Sequence, residues 1–110
     1  MSAFCRITEL NFEEKVLHSK IPVLVDFGAE WCQPCRRLEP LLEKLAVQLS
    51  DQLEIVKVDI DQCTNLIVQL QVMCVPTLVL FVGGSECLRL TGLQSQDKII
   101  EKVSPYLSNN

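Results

Sequence analysis

The apolar residues change period between two short stretches, and that change limits the possible folds more than any other feature of the chain. "PVLVDF" at 22–27 is β-branched and almost wholly apolar, so it reads as a strand covered on both faces, as in a parallel sheet. From Cys35 onward, Leu38, Leu41, Leu42, Leu45 and Leu49 recur at helical spacing, with Arg37, Glu39, Glu43, Lys44 and Gln48 between them. Pro40 lies inside this helix and should kink it, because it removes a hydrogen bond and crowds the preceding turn. "LEIVKVDI" at 53–60 returns to the pattern of a buried strand. Right-handed crossovers then exclude most other arrangements of the three elements.

The flanking segments extend this unit. "FCRITE" at 4–9 reads as a short first strand. Asn11 can cap a helix running through Phe12, Val16 and Leu17, with Glu13 and Glu14 suited to its positive end, and Pro22 ends that region. Residues 63–70 read as a short helix. "PTLVLFV" and "ECLRLTG" are strands joined at Gly83-Gly84-Ser85, a hairpin signal. Ser95 can cap a last helix with Ile99, Ile100, Val103 and Leu107 inward, and the terminal "LSNN" reads as frayed. The expected class is α/β: a central mixed sheet of about five strands with about four helices on both faces. The 110 residues suit a single domain over 1–110, and a hydrophobic content of 48% can build its core without staples.

Two broad function classes are disfavoured. The longest apolar run, "TLVLFV", is only strand-length, and "MSAFCRITEL" lacks the basic start and long apolar stretch of a signal peptide, so a cytoplasmic location without membrane attachment is expected. The formal net charge is −4 and Arg36-Arg37 is the only adjacent basic pair, which argues against nucleic acid as a partner.

Six cysteines are present, but only Cys32 and Cys35 have a spacing that suggests shared chemistry. They stand in "AEWCQPCRR", where the strand pattern gives way to the helix. A helix start beyond the carboxyl end of a strand is the usual reaction edge of an α/β sheet, and its unpaired N–H groups and dipole favour a thiolate. The two-residue spacing lets the sulfurs close a small disulfide ring. Cys32, at the start, should be the more exposed and would attack a substrate disulfide; Cys35, one turn in, would resolve the mixed disulfide. Pro34 suits the first helical turn. Two other readings compete. Zinc normally needs four ligands, whereas Cys5, Cys63, Cys74 and Cys87 form no second close pair and His18 is alone, so no metal is expected. Two inert buried thiols are the remaining alternative, which the thiolate-stabilising placement disfavours.

"VLVDFGAEWCQPC" resembles the active-site segment of the thioredoxin family. The likeness continues through Pro40, "VKVDID", "VPTLVLF", Gly84 and Gly92, and covers nearly the whole chain. It implies the thioredoxin fold and a disulfide reductase with Cys32 as nucleophile and Cys35 as resolving cysteine. It implies a cis peptide bond before Pro76, turning the Val75 backbone toward Cys32 to pair with a substrate strand. Trp31, Gln33, Pro34, Val75, Pro76 and Gly92 would border that docking groove. Protein disulfides would be the substrates, and a thioredoxin reductase, linked to NADPH or ferredoxin, would recharge the dithiol. No cofactor is expected, and the chain is expected to be a monomer. Two other uses of the fold remain open: a non-catalytic interaction or chaperone module, and a glutaredoxin-like reductase that uses glutathione, although no clear glutathione carboxylate site is visible.

Several residues carry two readings. Asp26 interrupts an apolar strand on the same face as Leu24; it is either a buried carboxyl that passes a proton to or from Cys35 or a strand-end aspartate without catalytic weight, and the resemblance favours proton transfer. Lys57 can pack its stem while its ammonium approaches and tunes Asp26, or it can reach solvent. Trp31 suits a docking surface better than the core. Cys74 should lie near the active-site rim as a possible regulatory thiol, or as an unreactive loop residue. Cys5 and Cys87 fall in strand patterns and read as core fillers, Cys63 near a helix start is left open, and His18 reads as a surface residue favoured by a helix end. The chain departs from the family at Gly28, where most members carry a large aromatic residue, at Gln33, usually glycine, and at Cys74, commonly a small unreactive residue.

Overall fold

A computed structural model describes residues 5–107. Phe4, expected in the first strand, and Ser108 to Asn110, expected to fray, lie outside the described residues. The strands are β1 (Cys5–Ile7), β2 (Val23–Gly28), β3 (Glu54–Asp59), β4 (Thr77–Val82) and β5 (Ser85–Thr91). They form one sheet in the order β1-β3-β2-β4-β5, with β1, β3 and β2 parallel and β4 and β5 antiparallel to their neighbours. This is the mixed sheet of the thioredoxin fold, with β2 at its centre.

Every residue of β2 is buried, as expected of a strand covered on both faces. Its side chains alternate between two cores. Val23, Val25 and Phe27 pack with Phe12, Val16 and Leu66 on one side. Leu24 packs on the other side with Leu38, Leu42 and Leu45 of α1 (Gln33–Gln48) and with Ile99 and Val103 of α3 (Gln96–Val103). α2 (Thr64–Leu70) lies on the first side through Leu66. α1 continues as one helix through Pro40. Ser95 caps α3 as expected, its Oγ accepting the Lys98 N–H at 3.1 Å. Gly83 and Gly84 both have positive φ, +59° and +86°, the backbone that a two-residue hairpin with right-handed strand twist requires.

The first helix differs from the expectation. Glu13–Leu17 is a single π-helical turn, and Asn11 does not cap it. The Asn11 carboxamide instead accepts the Thr8 N–H at 2.7 Å, closing the turn that leaves β1. Phe12 and Val16 still point inward, so the burial pattern holds while the cap does not.

Candidate active site

α1 begins where β2 ends, at the carboxyl edge of the parallel strands. Cys32 is the N-cap, with an extended backbone, and its Sγ accepts the Cys35 N–H at 3.2 Å. A cap side chain satisfies one of the donors that a helix start leaves unpaired, and here that acceptor is sulfur. Pro34 sits in the first turn, where its missing N–H costs no helical bond. Cys32 and Cys35 are joined as a disulfide, with Cα atoms 5.3 Å apart.

The expected difference in exposure does not appear in this disulfide form, because Cys32 and Cys35 are each 6% exposed. The ring holds both sulfurs against the helix start, and Ala29, Ile60 and Val75 pack around them. Gln33 and Pro34, between the cysteines, are exposed.

Cys35 faces the sheet. A Cβ placed on Gly28 would lie 3.4 Å from Cys35 Sγ and 3.8 Å from Asp26 Oδ1. The sulfur and the carboxyl thus flank the same bare stretch of backbone. Asp26 is 2% exposed, and its Oδ1 has no hydrogen-bond partner among the described residues. Burial pushes its carboxyl from the ordinary 3.8 up to about 7, and the positive charge of Lys57 offsets only part of that rise.

Lys57 is the register partner of Asp26 across β2 and β3, but its ammonium is paired elsewhere. Nζ donates to Glu39 Oε2 on α1. Lys57 acts on that carboxyl by its charge, which lowers it, while its ammonium is held in an ion pair with Glu39.

A groove of about 250 Å³ opens beside the disulfide, lined by Trp31, Ile60, Val72, Met73, Cys74 and Val75. Trp31 is 66% exposed, and its Nε1 donates to Asp61 Oδ2 at 2.8 Å, which fixes the indole at the rim. The Val75–Pro76 bond is cis, as the resemblance implies. Gly92, at φ +81°, donates its N–H to the Pro76 carbonyl at 2.8 Å and so borders the same loop.

Cys74 is exposed in this groove, with Thr77 Oγ1 donating to its carbonyl at 2.7 Å. Cys5 and Cys87 are also exposed, against the expectation that they fill the core. They lie on β1 and β5, the two edge strands of the sheet. Cys63 is buried at the start of α2, and burial pushes its thiol up, with the Glu9 carboxylate adding to the rise. His18 is exposed at the end of the π-helical turn, 3.5 Å from Glu13. Among the described residues, no group of three or more His, Cys, Asp and Glu side chains is placed to hold a metal ion, and no helix is long and apolar enough to cross a membrane.

Sequence reasoning missed Glu39, Asp61, Ile60 and Met73. Glu39 stood in the helical pattern only as a polar residue between leucines. Asp61 gave no signal of its own, since its partner lies thirty residues away.

The family model described as Thioredoxin matches residues 3–105. The chain is 36% identical over 104 residues to a protein named Thioredoxin from Rickettsia bellii, covering 94% of this chain and 95% of that one. It is 36% identical over 107 residues to Thioredoxin 1 of Synechococcus elongatus, covering 97% of this chain and 100% of that one. It is also 36% identical over 103 residues to the Bifunctional thioredoxin reductase/thioredoxin of Mycobacterium leprae, covering 94% of this chain and 22% of that longer protein.

Proposed function

The chain belongs to the thioredoxin family and is a thiol–disulfide oxidoreductase, and from that premise we propose that it reduces protein disulfides in the cytoplasm as a monomer recharged by a thioredoxin reductase. The observation that carries this reading is the Cys32–Cys35 disulfide at the start of α1, with Cys32 Sγ receiving a backbone N–H. In the reduced protein, the Cys32 thiolate attacks a substrate disulfide. One substrate sulfur bonds to Cys32 and the other leaves as thiolate. Cys35 then loses its proton to Asp26 and attacks Cys32 Sγ. The second substrate sulfur leaves and the internal disulfide closes, so two electrons pass to the substrate. The groove lined by Trp31 and Val75 would hold the substrate strand beside Cys32, with Gln33, Pro76 and Gly92 at its margins.

A reductase as electron donor is supported by the Mycobacterium leprae relative, whose name joins both activities in one chain. The test is to supply the oxidised protein with NADPH and a thioredoxin reductase, or with reduced glutathione, and to follow dithiol formation. Faster reduction by the reductase system is expected. Recharging by glutathione alone would make the protein glutaredoxin-like, and no recharging by either donor would favour an interaction module.

Asp61 bears on docking. Asp61→Ala removes the acceptor that fixes the Trp31 indole, a bond worth about 1 kcal/mol net. We expect KM for a protein disulfide to rise about three- to tenfold with kcat nearly unchanged. An unchanged KM would remove Trp31 orientation from the account.

A further inference from the structure

The position of the Lys57 ammonium carries an inference about how the site is tuned. Asp26 and Lys57 are opposite one another on adjacent strands. Both side chains lie on the α1 side of the sheet, because Leu24 and Ile55, two residues earlier on the same strands, pack in that core. A lone lysine there would direct its ammonium to the nearest available carboxylate. Lys57 instead donates to Glu39, while Asp26 Oδ1 is buried without a hydrogen-bond partner among the described residues. Glu39 follows Cys35 by four residues on α1, so both lie on one face of the helix. One helix face therefore presents the resolving sulfur and, a turn later, the carboxylate that engages the lysine.

We propose that Glu39 is a positioning residue for the resolving step: by holding the Lys57 ammonium, it keeps that charge from settling on Asp26, so that the carboxyl can take up the Cys35 proton. This rests on the reading of Asp26 as the proton acceptor. On the side of Asp26, β3 contributes Lys57 and Asp59, while its Glu54 alternates to the other face. α1 contributes Cys35 and Glu39, with Glu43 one turn further on, while its Arg36, Arg37 and Lys44 are exposed. β4 presents Leu78 and Leu80, and α3 presents Ile99 and Val103, all apolar. Asp59 is tied into its own turn, its Oδ1 accepting the Asp61 N–H at 2.9 Å. Glu39 is thus the carboxylate that competes with Asp26 for Lys57. Burial raises the Asp26 carboxyl and the Lys57 charge lowers it, so an ammonium held by Glu39 is one that is not wholly given to Asp26.

The test is to titrate the Asp26 carboxyl by NMR in the reduced full-length protein and to record the pH profile of disulfide reduction, for the wild type, Glu39→Gln and Glu39→Asp. Gln keeps the shape and drops the charge, which frees Lys57 to turn toward Asp26. We expect the Asp26 midpoint to fall by about one pH unit or more, the scale of a newly available opposite charge. The acidic limb of the pH profile should move with it, and Glu39→Asp should restore most of the wild-type behaviour. A midpoint unmoved in folded Glu39→Gln would overturn the proposal. A Lys57→Gln background separates the route: there Glu39→Gln should lose most of its effect, and an undiminished effect would show that Glu39 does not act through Lys57. Failure of the underlying reading has a different signature. Asp26→Asn would then keep the wild-type rate and pH profile, whatever Glu39 does to the Asp26 midpoint.

Discussion

Replacing Cys32 with serine is expected to reduce protein-disulfide turnover to the uncatalysed background, a loss on the order of 10³-fold or more for removal of a nucleophile. The sulfur at this position is the N-cap of α1 and accepts the Cys35 N–H at 3.2 Å. That bond and the positive end of the helix favour a thiolate, which is the species that attacks a disulfide. A serine hydroxyl cannot form the mixed disulfide, and it stays protonated at neutral pH. The fold should survive, because serine is itself a preferred N-cap and can accept the same N–H. The measurement is reduction of insulin disulfides with a reductase system, alongside circular dichroism to establish that the variant is folded. Retained turnover in the folded variant would assign the attack to another thiol and sink the mechanism. Cys74 is the exposed alternative in the same groove, so the comparison should be repeated with Cys74→Ser.

Asp26→Asn should make the protein more stable at pH 8, and the gain should disappear in acid. The carboxyl is 2% exposed, and burial raises it from 3.8 to about 7. The folded state therefore binds this proton more tightly than the unfolded chain does. Stability is greatest below the unfolded value and is lost as the pH rises from about 4 to about 7, after which the loss is complete. At about 1.4 kcal/mol per pH unit, ionising the buried group costs about 4 kcal/mol at pH 8. Asparagine has nearly the same shape and never ionises, so it avoids that cost. Urea unfolding of the oxidised proteins at pH 8 and at pH 4 should give a difference of about that size at the higher pH and little at the lower. A stability gain equal at both values would mean that the carboxyl is not the source. The same variant should slow the resolving step, since it removes the group proposed to take the Cys35 proton. Stability would then have been given up for function at a single buried position.

The fold was legible in the sequence wherever a pattern repeats along the chain. Continuous apolar runs marked β2 and β3, leucines at helical spacing marked α1, and Gly83-Gly84 marked the hairpin. These signals are local, because burial of one face imposes a period on the residues that form it. The first helix was less legible. Asn11 has the chemistry of a cap, and only the path of the chain after β1 brings it to the Thr8 N–H instead. The exposure of Cys5 and Cys87 was not legible for a different reason: whether a strand is at the centre or the edge depends on the order of strands in the sheet.

The site divides in the same way. Cys32, Pro34 and Cys35 are neighbours in sequence, so their placement at a helix start followed from the change of period alone. Asp26 was visible as a carboxyl in an apolar strand, and Trp31 as an aromatic residue beside the reactive pair. Sequence could not choose the partner of Lys57. Glu39 is eighteen residues away, and the two meet where α1 packs against β3. Nor could it reveal that the Cys35 sulfur and the Asp26 carboxyl both lie beside Gly28, or that Asp61 holds the Trp31 indole. The sequence by itself determined the strand and helix order and the reactive pair, because both arise from residues close along the chain. The tertiary structure alone decided which charges meet around Asp26, because electrostatic interaction depends on distance in space, and the crossover of α1 over the sheet sets that distance.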